Sequence, residues 1–276
     1  MNKQTLFENY INIEKKLYPV LNFLEQNKEN EKYKDLYKGF ITIQSPLVYN
    51  PDILFIGINP GEGAFKENGN KAPIRVFTLE NEIKLDWYKN GNARCKKENK
   101  KWMKGYEWYQ RDKGINNQFV ANMIEVLYKV AELKYPENES GKNKLPFWHE
   151  TLGQNIMFTN LYPVATTNTK DLRAVFKNLT EEANLKSLFG KSDSINGWDI
   201  QKYFIERVNE LKYLVQPKII VCIGTQAFND FTFTHKKKNN KIFKMEKEGY
   251  PVIGFARLGN WNGLVPDIAN EIALAI

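Results

Sequence analysis

Cysteine and histidine are almost missing from this chain. Its 276 residues include two of each, Cys95 and Cys222, His149 and His235. Two cysteines cannot make a disulfide framework, and their scarcity suits a reducing cytosol. Without clustered Cys or His, neither a zinc site nor an iron–sulfur cluster can be assembled, and no other cofactor is expected. No apolar stretch is long enough to span a bilayer. Residues 1–16 carry no apolar signal core, so a cytoplasmic protein with no membrane partner is expected. Internal repeats and low-complexity tracts are also missing.

The hydrophobic share, 42%, is ordinary for a globular protein of this length. The charge is not balanced. A formal net charge of +8 and an isoelectric point near 9.1 point to a polyanionic partner, most simply DNA, single- or double-stranded. A Lys-rich, well-solvated surface is the competing explanation. The expected state is a monomer.

Residues 1–45 form a helical N-terminal segment, with Leu6, Tyr10, Ile13, Leu17, Leu21 and Leu24 recurring every three or four positions. Pro19 interrupts the pattern and predicts a split into two helices. Four short apolar runs, 53–58, 155–159, 218–223 and 252–255, read as buried strands. Helical patterns over 119–133, 200–215 and 266–276 separate or follow them. Strands alternating with helices predict one α/β domain over 1–276, a three-layer α/β/α sandwich around a central, mostly parallel, four-stranded sheet. Residues 65–117 are rich in Lys, Trp and Tyr and break the rhythm as an insertion. Residues 171–198 read as short helices and polar loops, and 235–244 as a basic loop between the last two strands.

The most informative stretch is Ile53-Leu54-Phe55-Ile56-Gly57-Ile58-Asn59-Pro60-Gly61, an apolar run stopped by Gly-x-Asn-Pro-Gly. It delivers a polar Asn to the carboxyl end of a central strand, the edge at which open α/β sheets hold ligands. A second run, Ile156-Met157-Phe158-Thr159-Asn160-Leu161-Tyr162-Pro163, again ends in an amide and a proline. A third, from Pro217 through Cys222 to Gly224, reads as strand, Gly turn and helix. In this order the segments resemble the uracil-DNA glycosylase superfamily. The first is closest to the mismatch-specific and single-strand-selective branches. The resemblance spans about residues 53–276.

That resemblance implies a DNA glycosylase acting in base-excision repair of DNA damage. Such a hydrolase flips an altered base from the stack and lets water attack the sugar directly. It implies that Asn59 positions the water through its side-chain carbonyl, since an amide is no base near neutral pH. Asn160 would read the flipped base. Gly57, Ile58, Pro60 and Gly61 would line the base, Pro60 fixing the turn and the glycines allowing close approach. Phe65 or Phe77 would stack on it. Some branches carry an iron–sulfur cluster, which this chain cannot. The last motif departs from the family's His-Pro-Ser or Asn-Pro-Ser and reads Gly254-Phe255-Ala256-Arg257-Leu258-Gly259-Asn260-Trp261-Asn262-Gly263-Leu264. There Arg257 or Asn260 would stabilise the departing base, and Trp261 or Leu264 would fill the gap it leaves.

Two basic stretches suit a phosphate backbone. One interleaves Arg94, Lys97, Lys101 and Lys104 with aromatics such as Trp102, and the other carries Lys237 and Lys238. Each motif also has a plainer reading. Asn-Pro-Gly is a common turn, Asn160 could cap a helix, and an aromatic near the first motif is more often core than platform. Two rival functions follow. The altered last motif suits a catalytically weak or inactive module that binds DNA or modified bases, with a role in phage defence. Gly57, Gly61 and Gly63 hint at a nucleotide-using enzyme, but their spacing matches neither G-x-G-x-x-G nor a P-loop.

Overall fold

The computed structural model describes residues 1–43, 45, 47–61, 118–136, 155–190, 194–237, 242–256 and 263–276. Contacts divide these into two compact units. One draws on 1–43, 58–61 and 160–214, the other on 45–57, 118–159 and 215–276.

The second unit is built on a mixed, mostly parallel sheet. Its strands are β2 (Ile53–Gly57), β3 (Ile156–Asn160), β5 (Ile219–Ile223), β6 (Ile242–Lys247) and β7 (Tyr250–Phe255), in the order β3-β2-β5-β7-β6. The pairs β2/β5 and β5/β7 are parallel, with Phe55 opposite Val221 and Val221 opposite Ile253. β2, β3 and β5 are buried at every position, which is why they read as unbroken apolar runs and not as alternations. The pleat still sorts their side chains. Ile53, Phe55, Ile156, Phe158, Ile219, Val221, Ile253 and Phe255 share one core with two helices, α3 (Gln118–Lys134) and α8 (Val265–Ala275). On the alternate positions, Gly254 lies against the Phe228 ring of helix α7 (Thr225–Thr232), where an added Cβ would fall 2.5 Å from the ring. Helices thus cover both faces, an α/β sandwich. Gly224 opens α7 with φ of 109°, a conformation only glycine takes comfortably. Cys222, inside β5, is a free thiol shut off from solvent, and burial pushes it well above the usual thiol range.

The sheet has five strands where the sequence pattern suggested four. β6 is antiparallel to β7 and forms the edge. Its sequence, Ile-Phe-Lys-Met-Glu-Lys, carries the charges that keep an edge from pairing with other chains. Lys244 therefore belongs to a strand, bonded to Glu271 of α8, and not to the end of a basic loop. A two-residue turn joins the strands, with Glu248 and Gly249 at φ of 55° and 82°, the two positive values a type I′ hairpin needs.

The first unit is mainly helical. Pro19 falls in the first turn of α2 (Tyr18–Gln26), directly after α1 (Lys3–Lys15) ends, so the helix splits where the proline requires. The other helices are α4 (Thr169–Thr180), α5 (Lys186–Phe189) and α6 (Gly197–Val215). β1 (Gly39–Phe40) pairs antiparallel with β4 (Val164–Ala165). α4 is longer than the short helices expected over 171–198. Leu172, Val175, Phe176 and Leu179 give it a buried face at helical spacing. Phe176 stacks on Phe204 of α6 and meets Tyr162 edge-on, at ring distances of 5.7 and 5.2 Å. Among the described residues no helix is long and apolar enough to cross a membrane.

Candidate functional site

The site grows out of two chain segments that leave buried strands. β2 ends at Gly57, which is buried, and the chain passes through Ile58 and Asn59, both half-buried, to buried Pro60 and exposed Gly61. β3 ends at Asn160 itself, and Leu161, Tyr162, Pro163, Val164, Ala165 and Thr166 follow, all buried.

The two segments are zipped together. The Tyr162 N–H donates to Ile58 O at 2.9 Å, and the Thr166 N–H to Pro60 O at 3.3 Å. Gly61 and Thr166 form a parallel bridge. The Asn59 side chain closes the seam. Its Nδ2 donates to Pro60 O at 3.0 Å, Thr166 Oγ1 at 3.0 Å and Val164 O at 3.3 Å. An amide has two N–H bonds, so two protons serve three acceptors and one proton is shared between two of them.

This network fixes which way round the carboxamide sits. Two of the acceptors are carbonyls, which cannot donate. Turning the amide over would set Oδ1 against both and forfeit hydrogen bonds of about 1 kcal/mol each. Nδ2 therefore faces the seam, and Oδ1 is the end left for something else. Among the described residues, nothing donates to it.

Asn160 is placed differently. It is the last residue of β3, 3% exposed. It does not cap the helix that follows. Asn168 does that, with its Oδ1 accepting from the Lys170 and Asp171 N–H groups at 2.8 and 3.0 Å. The Asn168 Nδ2 returns to Asp171 Oδ2 at 2.9 Å, a close variant of a capping box.

Gly61 has no positive φ, and an added Cβ there would meet nothing within 4 Å. Its described neighbours therefore do not demand a glycine. Leu264 is 9% exposed and packs into the core beside α3 and α8, so burial removes it as an exposed wedge. Lys237 is exposed, as a phosphate-binding residue must be. Phe65, Phe77, Arg94, Lys97, Lys101, Trp102, Lys104, Lys238, Arg257, Asn260 and Trp261 lie outside the described residues.

Thr166 and Asn168 were not singled out from the sequence. Asn168 had a signal, an Asn three residues before an Asp at the start of an apolar period of 3.6. Thr166 had none, because its role depends on the approach of a segment more than a hundred residues away. Among the described residues, no group of three or more His, Cys, Asp or Glu could hold a metal ion. No protein-family model matches the chain, and no curated protein matches it significantly.

Proposed function

We propose that this chain is a monofunctional DNA glycosylase of the uracil-DNA glycosylase type, removing uracil or another altered base from DNA. The observation that carries the reading is the pinned carboxamide of Asn59. Its nitrogen is consumed by Pro60, Val164 and Thr166, so its oxygen is the end available to an incoming donor. A water molecule is such a donor. An acceptor held in one orientation can aim the water's lone pair at a sugar carbon without taking a proton itself.

The step balances simply. The bond between the sugar C1′ and the base nitrogen breaks, and the base leaves with the electron pair. The water oxygen bonds to the oxocarbenium-like C1′, and its proton passes to solvent and finally to the base. Asn59 orients and does not deprotonate, so the chemistry depends on a base that leaves readily. The net charge of +8 agrees with a polyanionic substrate.

The test is a panel of oligonucleotides carrying uracil, hydroxymethyluracil, hypoxanthine or xanthine, single-stranded and paired. The expected result is an alkali-labile abasic site at one lesion at least. Salt-sensitive binding with no abasic product on any of them would support the second reading, a DNA-binding module without catalysis. One observation favours that alternative. The Asn59 amide already has a structural task, joining the segment after β2 to the one after β3, which accounts for an Asn at this position without any chemistry.

A further inference from the structure

We infer that Thr166 is a positioning residue of this site, its hydroxyl acting with two backbone carbonyls to hold the Asn59 carboxamide nitrogen inward and its oxygen outward. The inference rests on the glycosylase reading for its catalytic consequence, but not for its geometry.

Thr166 is completely buried, so solvent cannot satisfy its hydroxyl. The hydroxyl has one proton, and that proton is committed. Thr166 Oγ1 donates to Asn168 O at 2.8 Å. Toward Asn59 the oxygen therefore presents only lone pairs and must accept from Nδ2, 3.0 Å away. The commitment is firm because Asn168 is itself fixed. Its carbonyl also accepts the Leu172 N–H at 3.2 Å, and its side chain caps the first turn of α4. A continuous relay thus runs from the start of α4 through Asn168 O and the Thr166 hydroxyl to the Asn59 nitrogen.

The other two acceptors are backbone carbonyls, which no side-chain substitution removes. Pro60 O belongs to the next residue and travels with Asn59, and Val164 O sits at 3.3 Å, the longest of the three. Thr166 is the one acceptor supplied by a side chain. Without it, a carboxamide half-exposed to solvent would turn over more freely and present Nδ2, a donor, where a water-holding acceptor is required.

The test compares the wild type, Thr166→Val and Thr166→Ser on a lesion that the wild type excises. In parallel, the side-chain amide protons of Asn59 are followed by NMR, assigned through their loss in Asn59→Ala. Thr166→Val is expected to lower kcat about 10- to 100-fold with KM nearly unchanged, as misorientation of a positioning group does. Thr166→Ser, which keeps the hydroxyl, should recover most of that loss. The Asn59 amide protons should exchange slowly in the wild type and faster in Thr166→Val. An unchanged kcat in Thr166→Val, or Thr166→Ser as impaired as Thr166→Val, would overturn the inference. Should Thr166→Val not fold, the wild type decides alone. Asn59 protons exchanging as fast as those of an exposed Asn would refute the hold. Should the wild type excise nothing, the glycosylase reading falls, while the exchange comparison still decides whether Thr166 fixes the amide.

Discussion

Asn59 and Asn160 come from nearly the same sequence setting and end in different surroundings. Each sits at the end of an apolar run that forms a strand of five buried residues, Asn160 as the fifth of them and Asn59 beyond the fifth. Asn160 is the last residue of its strand and is 3% exposed. Asn59 lies two residues beyond the end of its strand and is half-buried, with its nitrogen turned inward and its oxygen not engaged by any described donor. Two residues of chain make the difference. A side chain on the last strand position keeps the burial of the strand, whereas one on the following loop can show one end to solvent. On the proposed reading Asn59 would hold water, while Asn160, at 3% exposure, would reach a base only if its surroundings opened.

The comparison can be broken by stability measurements. Asn160→Ala should cost the most, about 1–3 kcal/mol by urea unfolding, because it truncates a side chain that is 3% exposed and leaves a cavity. Asn59→Ala should cost less, about 1 kcal/mol, since its three acceptors share two protons at a half-exposed position. Equal costs, or a larger one at Asn59, would mean that Asn59 is chiefly a structural staple.

A smaller effect tests the frame behind Asn59 alone. α4, whose first turn anchors Thr166, is tied at its far end to the segment after α2. Asn178 Nδ2 donates to Lys32 O at 2.6 Å, Lys32 pairs with Glu181 at 3.1 Å, and the Tyr33 hydroxyl donates to Glu182 Oε1 at 3.1 Å. Burial first, and then the Glu182 carboxylate, push the Tyr33 phenol above its usual range. A raised phenol favours the neutral form in the fold. Its contribution is complete below about pH 10 and is lost as the pH climbs through the folded value. Unfolding midpoints should therefore show no Tyr33-dependent decline below about pH 10 and should fall as the pH rises above it, less steeply in Tyr33→Phe. Parallel declines in the two proteins would remove Tyr33 from the account.

Much of the fold was legible because burial leaves long marks. The runs at 53–58, 218–223 and 252–255 became β2, β5 and β7, and Pro19 split the opening helix. β3 came out one residue later than its apolar run, at Ile156–Asn160, which is why Asn160 ended inside the ladder and not past it. β6 was illegible as a strand because an edge strand carries charge, and Lys244, Glu246 and Lys247 read as solvated loop. β1 and β4 are two residues each, too short for any periodicity. At the site, the sequence pointed to Asn59 but not to the direction of its amide. That direction depends on Val164 and Thr166, which local pattern cannot connect to it.

The most direct measurement is the single-turnover excision rate of Asn59→Ala beside its affinity for the same lesion-bearing oligonucleotide. With the carboxamide oxygen holding the attacking water, the rate should fall at least about 100-fold while the dissociation constant changes little. Matching excision rates in the mutant and wild-type proteins would contradict it.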